Sequence, residues 1–299
     1  MRTMRPSPRL RIGIAGVGHF GRYHALKVAS SERATLVGVS DPDTERAKLV
    51  GWEAGAPEMD FPTLLAASDA VVIAAPAETH HALAAEALRA GKHVLVEKPI
   101  AATLAQADEL AALAAERKVI LQVGHLERFS AAFGALERRI GVPLYLEATR
   151  IAPFRRRGTD VSVILDLMIH DLDLILALVA SEIKSVDAVG GAVASKHADI
   201  ANARIRFANG TVATITDSRV AMRTERRMRI FAADGYLTVD FANRHLTIIA
   251  RGRGRPVPQV AGYGIEEVSW QDHDPLAAEH AAFAASVLDG APEIGRAHV

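Results

Sequence analysis

An α/β domain built on a doubly wound parallel sheet, followed by an α+β domain with a mostly antiparallel open sheet, is the fold class the sequence predicts. Three observations predict it. Over the first 123 residues, short Val/Ile-rich apolar runs alternate with helical runs. Continuous apolarity suits strands buried on both faces, and intervening helices suit right-handed crossovers. Beyond residue 124, short strands instead follow one another in series. Asn209-Gly210 and Asp234-Gly235 stand between such strands, and these dipeptides favour two-residue hairpin loops.

In chain order, the first half places strands over 10–15, 35–40, 70–74, 93–96 and 119–123. Helices are expected over 19–30, 43–53, 79–90 and 104–117. Thr103, with Gln106 three residues on, is a capping-box pattern, and Gly91 suits the position just past a helix. The second half opens with a helix over 126–140, a strand over 143–151, an arginine-rich loop and a helix over 161–179. Strands over 185–194, 200–208, 211–220, 226–233, 236–241 and 245–250 follow, with a closing helix over 276–288. Residues 251–258, rich in Arg, Gly and Pro, read as a loop. The length of 299 residues fits two domains, 1–123 and 124–299.

Composition excludes several functions. Lysine plus arginine and aspartate plus glutamate both count 35, so there is no basic excess of the kind that binds nucleic acid. The absence of cysteine removes disulfides, thiolate metal sites and cysteine nucleophiles, and it fits a reducing compartment, the cytoplasm. The most apolar long window, 161–180, holds Asp166, His170, Asp171 and Asp173, which would be costly in lipid. The basic start of the chain leads into an apolar run already broken by Gly13, Gly16 and Gly18, a strand entering a turn rather than a secretion signal. No membrane partner is expected.

Gly16-Val17-Gly18-His19-Phe20-Gly21 fits G-x-G-x-x-G between an expected strand and an expected helix. Gly16 permits the turn, Gly18 lets a pyrophosphate approach, and Gly21 lets helix and strand pack closely. The amide end of the helix, from His19 and Phe20 onward, then offers N–H groups and a positive dipole to phosphate. Asp41 lies twenty residues past Gly21, where a carboxylate accepts from ribose hydroxyls. This is the fingerprint of a Rossmann domain. No arginine follows Asp41 immediately, so the expected cofactor is NAD rather than NADP.

Glu97-Lys98-Pro99 closes the strand over 93–96, at the sheet edge where open α/β folds bind ligands. Asp166, His170 and Asp173 are spaced four and three apart, on one face of the helix over 161–179. A histidine beside carboxylates is a natural general base. A core histidine–acid pair and an Asp/His metal site are the competing readings, and no spacing here completes a ligand set.

Taken in order, the glycine motif, Asp41, Ala75-Pro76-Ala77-Glu78-Thr79-His80, Ala90-Gly91-Lys92-His93-Val94, Glu97-Lys98-Pro99 and Asp166-x-x-x-His170-x-x-Asp173 resemble the glucose–fructose oxidoreductase/inositol dehydrogenase (Gfo/Idh/MocA) family. The resemblance implies NAD(P)-dependent oxidation of a sugar or polyol hydroxyl. It implies that Lys98 contacts the substrate oxygen, that His170 accepts the proton, and that Asp166 assists binding or relay. Pro76, His80, Glu97 and Lys98 then belong to the cofactor end, whereas His81 is expected to face away. The second domain supplies the substrate pocket and a contact for a homo-oligomer, a dimer or tetramer.

The segment from Arg155-Arg156-Arg157 to Asp166, together with Gln122-Val123-Gly124-His125-Leu126-Glu127-Arg128-Phe129, resembles the UDP-N-acetylglucosamine 3-dehydrogenases of that family. Arg128, Arg150, Arg155, Arg156 and Arg157 can present planar forks to a diphosphate, with Asp173 as a further substrate candidate. A solvated basic loop is the alternative for any one of these arginines. A free-sugar or inositol dehydrogenase, and a glycosidase working through transient C3 oxidation, remain open beside the nucleotide-sugar reading.

Overall fold

The computed structural model describes residues 8–137, 141–155, 159, 161–270 and 274–293. Strands β1 (Leu10–Ala15), β2 (Ala34–Ser40), β3 (Ala70–Ile73), β4 (His93–Glu97) and β5 (Leu121–Gly124) pair in parallel in the order β2-β1-β3-β4-β5. The order reverses between β1 and β3, which opens a crevice at their carboxyl ends. Crossovers run through α1 (His19–Ala29), α2 (Thr44–Ala54), α3 (Phe61–Ala67), α4 (Ala77–Arg89) and α5 (Leu104–Arg117). Asp43 caps α2 by accepting from Arg46 N, and Thr103 caps α5 by accepting from Gln106 N. Helix α3 is an addition to the expected elements. Asp60 accepts from Thr63 N, and Pro62 fits the first turn, but seven residues are too few to show a period.

Two compact units emerge: residues up to Phe129 together with those from Asp274 on, and Ser130–His273. The closing helix α8 (Pro275–Asp289) therefore belongs with the first unit, not with the second half of the chain. Phe283 and Ala284, fully buried, pack in one cluster with Leu10, Ile12, Ala25 and Leu95. An apolar helix face joins whichever core it completes, and chain order does not reveal which.

In the second unit, β6 (Pro143–Ile151), β7 (Ile183–Gly191), β8 (Ile200–Phe207), β9 (Val212–Ser218), β10 (Glu225–Ala232), β11 (Gly235–Asp240), β12 (His245–Arg251), β13 (Arg255–Pro256) and β14 (Tyr263–Ser269) form one sheet in the order β13-β14-β12-β11-β10-β6-β9-β8-β7. Among the described pairings only β6–β9 is parallel. Inward residues such as Leu146, Ile215, Ile230 and Val239 pack with Leu136 of α6 (Ala131–Glu137) and with Leu174 and Ile175 of α7 (Ile169–Val179). On the other face Tyr145, Phe231 and Tyr236 make a half-buried aromatic row with centroids 5.8 and 4.7 Å apart.

Three expected elements differ. The helix over 126–140 is broken at Ser130, whose Oγ accepts from Phe133 N, into a 3₁₀ turn Leu126–Phe129 and then α6, with 138–140 outside the described residues. The helix over 161–179 begins as a π turn, Ile164–Met168. The loop over 251–258 contains β13, which pairs with β14, and both strands are additions to the expected elements. Among the described residues, no helix is long and apolar enough to cross a membrane.

Candidate active site

Strand β1 runs into Gly16 at φ +84°, and a Cβ there would lie 2.7 Å from Ala75 N. A Cβ on Gly21 would fall 1.8 Å from Gly16 O, so α1 sits where only glycine fits. Gly18 is different: a Cβ would meet nothing within 4 Å, and no side chain caps α1. The amide end of α1 thus faces open space with His19 and Phe20 exposed in its first turn, a recess suited to an anion. Asp41 Oδ2 accepts from Val17 N at 2.8 Å and Oδ1 from Asp43 N at 2.9 Å. Each oxygen keeps a lone pair for a ribose hydroxyl. A basic residue does stand near: Arg46 Nη1 is 3.8 Å from Asp41 Oδ1, while its Nη2 pairs with Asp43 at 2.7 Å. The first turn of α2 brings Arg46 back beside the carboxylate, which adjacency in sequence hid.

Strand β4 ends at Glu97, and the Lys98–Pro99 peptide is cis. Lys98 is half-buried and Pro99 buried, while Pro76 is exposed at the start of α4. His80 is buried, with Nδ1 2.7 Å from Pro99 O and Nε2 2.8 Å from Ala75 O. Both ring nitrogens are thus committed to main-chain oxygens, and His80 fastens the turn after β4 to the turn after β3. His81 lies 2.9 Å from Glu109 of α5.

Behind Glu97 is a cluster that sequence reading missed. His24 Nε2 is 2.9 Å from Glu97 Oε1, and His24 Nδ1 is 3.0 Å from His280 Nε2. Glu279 is fully buried beside them. Burial, then the charge of Glu97, pushes the Glu279 carboxyl well above its usual range. Burial, then His24, pushes His280 well down. Among the described residues, His24, Glu97 and Glu279 also form the group whose ligand atoms lie close enough, within 4.8 Å, to surround a cation. The available signal was a Glu-His pair inside an alanine-rich helix, legible only once α8 is placed on the first unit.

In the second unit Asp166 lies in the π turn and His170 in the first turn of α7, both half-buried, while Asp173 is buried. Arg150 is not a phosphate fork: buried, it grips Asp171 through Nε–Oδ2 at 2.8 Å and Nη2–Oδ1 at 3.1 Å. This pair fastens the start of α7 to β6. Asp217, opposite Arg150 in the β6–β9 register, is buried with neither oxygen hydrogen-bonded. Burial, then the charge of Asp171, pushes its carboxyl up to about 8. The approach to the π turn is pinned too, since Arg219 donates from Nη1 to Val161 O at 2.9 Å and from Nε to Asp199 at 2.7 Å. Burial alone would raise Asp199, but N–H groups of Val193 and Ala194 and the Arg219 guanidinium outweigh it and hold the carboxyl far below the usual range. Arg128 is half-buried in the 3₁₀ turn, Arg155 is exposed, and Arg156 and Arg157 lie outside the described residues.

The chain matches known proteins along most of its length. The family model described as "Oxidoreductase family, NAD-binding Rossmann fold" covers residues 10–125, and the "GFO/IDH/MocA C-terminal domain" covers 137–238. UDP-N-acetylglucosamine 3-dehydrogenase of Acidithiobacillus ferrooxidans is 46% identical over 274 residues, 90% of this chain and 86% of that one. The scyllo-inositol 2-dehydrogenase (NAD(+)) of Bacillus subtilis is 28% identical over 81% of this chain and 77% of its own. The solved structure of UDP-N-acetylglucosamine 3-dehydrogenase GnnA from A. ferrooxidans superposes with a TM-score of 0.89 at 44% identity, covering 95% and 91% of the two chains.

Proposed function

The chain belongs to the Gfo/Idh/MocA family of NAD-binding oxidoreductases, and on that premise we propose that it oxidises C3 of a UDP-N-acetyl-amino-sugar. The observation that carries this reading is the likeness, along nearly the whole chain, to a UDP-N-acetylglucosamine 3-dehydrogenase. Inositol dehydrogenases stand further off.

The recess at the amide end of α1 fits a pyrophosphate, with Gly16, Gly18, His19, Phe20 and Gly21 around it. Asp41 takes the ribose hydroxyls, and Pro76, Glu97 and Lys98 border the nicotinamide end. When bound, NAD supplies the hydride acceptor. Removing hydride from an alcohol requires its proton to leave as well, and His170 takes that proton at a ring nitrogen. Lys98 stabilises the charge developing on the sugar oxygen, a positioned ammonium in a cleft of low dielectric. Asp166, one turn before His170, orients the sugar or the imidazolium. Arg128 and Arg155–Arg157 hold the diphosphate; each well-formed contact of this kind contributes about 1.5–3 kcal/mol. The partly exposed face of the nine-stranded sheet, with its row of Tyr145, Phe231 and Tyr236, is the contact for a homo-oligomer. A cysteine-free chain suits work in the cytoplasm.

The test is NADH formation across UDP-N-acetylglucosamine, other UDP-sugars, free sugars and inositols. UDP-N-acetylglucosamine is expected to give the highest kcat/KM, with a 3-keto product. Equal rates with inositol or glucose would replace this reading with a free-sugar dehydrogenase. Glycoside cleavage without net NADH would replace it with a glycosidase.

A further inference from the structure

Behind the Glu97-Lys98-Pro99 turn lies a polar cluster to which the proposed chemistry gives no task. His24 comes from α1, Glu97 from the end of β4, and Glu279 and His280 from α8. Neither oxygen of Glu279 has a hydrogen-bond partner, nor does Nδ1 of His280. Gln122, buried on β5, has neither amide atom bonded. The register Leu95↔Gln122 and Glu97↔Gly124 puts Gln122 on the same sheet face as Glu97, the face on which Leu95 packs with Phe283 of α8. Fully buried polar atoms without partners are uncommon, and several in one layer ask for an explanation.

The hydrogen bonds have a direction. For the Glu97 carboxylate to accept from His24 Nε2–H, a neutral His24 ring must accept at Nδ1, so His280 gives its Nε2–H. That direction selects one tautomer for each ring and leaves Glu97 at the end as the charged member. A second buried carboxylate beside it would be costly, whereas a protonated one brings a donor. Burial and the charge of Glu97 both push Glu279 toward the protonated form.

We propose that Glu279 is the protonated partner of Glu97 in a buried carboxyl pair, and that this pair, steadied by His24 and His280, is a positioning device for Lys98. The proposal rests on Lys98 being the contact to the substrate oxygen. Glu97 and Lys98 are adjacent in the chain, so the hold on Glu97 sets where the Lys98 side chain starts. One negative charge stands behind the ammonium. A second would draw Lys98 back from the sugar, and loss of the Glu279 donor would free Glu97 to turn. The titratable groups on the elements packed around Glu279 are His24 and Lys27 of α1, Glu97 of β4, Glu127 and Arg128 of the 3₁₀ turn, and Asp274 and His280 of its own helix. Lys27 is paired with Asp274 at 2.5 Å.

Two variants of the full chain test this. Glu279→Gln keeps the shape and a donor but cannot ionise, while Glu279→Leu keeps the volume without polarity. Glu279→Leu is expected to keep or raise Tm yet lose about tenfold or more in kcat, with KM and NAD Kd changing much less. Glu279→Gln should retain most of the turnover at neutral pH and lose the alkaline decline of kcat that ionising Glu279 causes. Heteronuclear NMR of the imidazole nitrogens should show His24 and His280 as Nε2–H tautomers in the native chain and in Glu279→Gln, and mixed in Glu279→Leu. That readout does not depend on Lys98: if the tautomers behave so while Lys98→Met stays active, the reading of Lys98 fails and the carboxyl pair stands. Native kcat and pH profile in Glu279→Leu would overturn the proposal. So would Glu279→Gln as impaired as Glu279→Leu, or one tightly held zinc or manganese ion per chain that Glu279→Gln releases.

Discussion

Val17 N donates to Asp41 Oδ2 at 2.8 Å, so the acid that ends β2 holds the turn that follows β1. Asp41 therefore has two tasks: shaping the phosphate recess and receiving the adenosine ribose. NAD is expected to bind at least about tenfold more tightly than NADP, because a 2′-phosphate would meet like charge at the carboxylate. Asp41→Ala should weaken NAD and narrow the preference, since Arg46, 3.8 Å away, would then face the phosphate without its counter-charge. Calorimetric titration with both cofactors measures this, and equal affinities in the native chain would refute the assignment.

Lys98→Met and His170→Asn should each lower kcat by about 10²-fold or more while NAD affinity stays near native. If both serve one sugar oxygen, the double variant should lose far less than the product of the single losses. Stopped-flow NADH formation for the four proteins decides the matter, and strict multiplicativity would separate the two roles.

Stability should depend on pH through Asp217. Its carboxyl is raised to about 8 in the folded chain, against about 4 when unfolded, so the folded state binds more protons between those values. Its contribution is complete below the unfolded value and is lost as pH climbs through about 8. Tm should therefore fall across that window, and Asp217→Asn should flatten the fall. A variant whose profile tracks the native one would show that Asp217 does not titrate there.

Removing Arg150 strands Asp171 in the core, with an expected cost of about 3–5 kcal/mol for Arg150→Met by chemical denaturation. Replacing Arg155, Arg156 and Arg157 together by Gln should leave Tm nearly unchanged and raise KM for a UDP-sugar by about 10²-fold. An unchanged KM would make that segment a solvated loop.

Most of the first unit and the core of the candidate site are legible in the sequence. Parallel strands buried on both faces read as unbroken Val/Ile runs, and the glycine spacing, Asp41 and Glu97-Lys98-Pro99 fall at the strand ends where binding requires them. Helix α3 and strand β14 escape, the first for want of length and the second because Glu266 and Glu267 interrupt its alternation. The π turn at Asp166 is illegible for another reason, since a change from four to five residues per hydrogen-bonded ring leaves the hydrophobic pattern almost intact.

By itself, the sequence determined whatever depends on neighbours along the chain: strand and helix periods, hairpin turns, helix caps, the glycine recess and the family likeness. Only the tertiary structure decided which core α8 completes, that Arg150 is spent on Asp171, that Arg46 stands by Asp41, and that His24, Glu97, Glu279 and His280 meet. These are contacts between residues far apart in sequence or a helical turn out of step. Local propensity carries no record of them, because burial and charge act through distance in space.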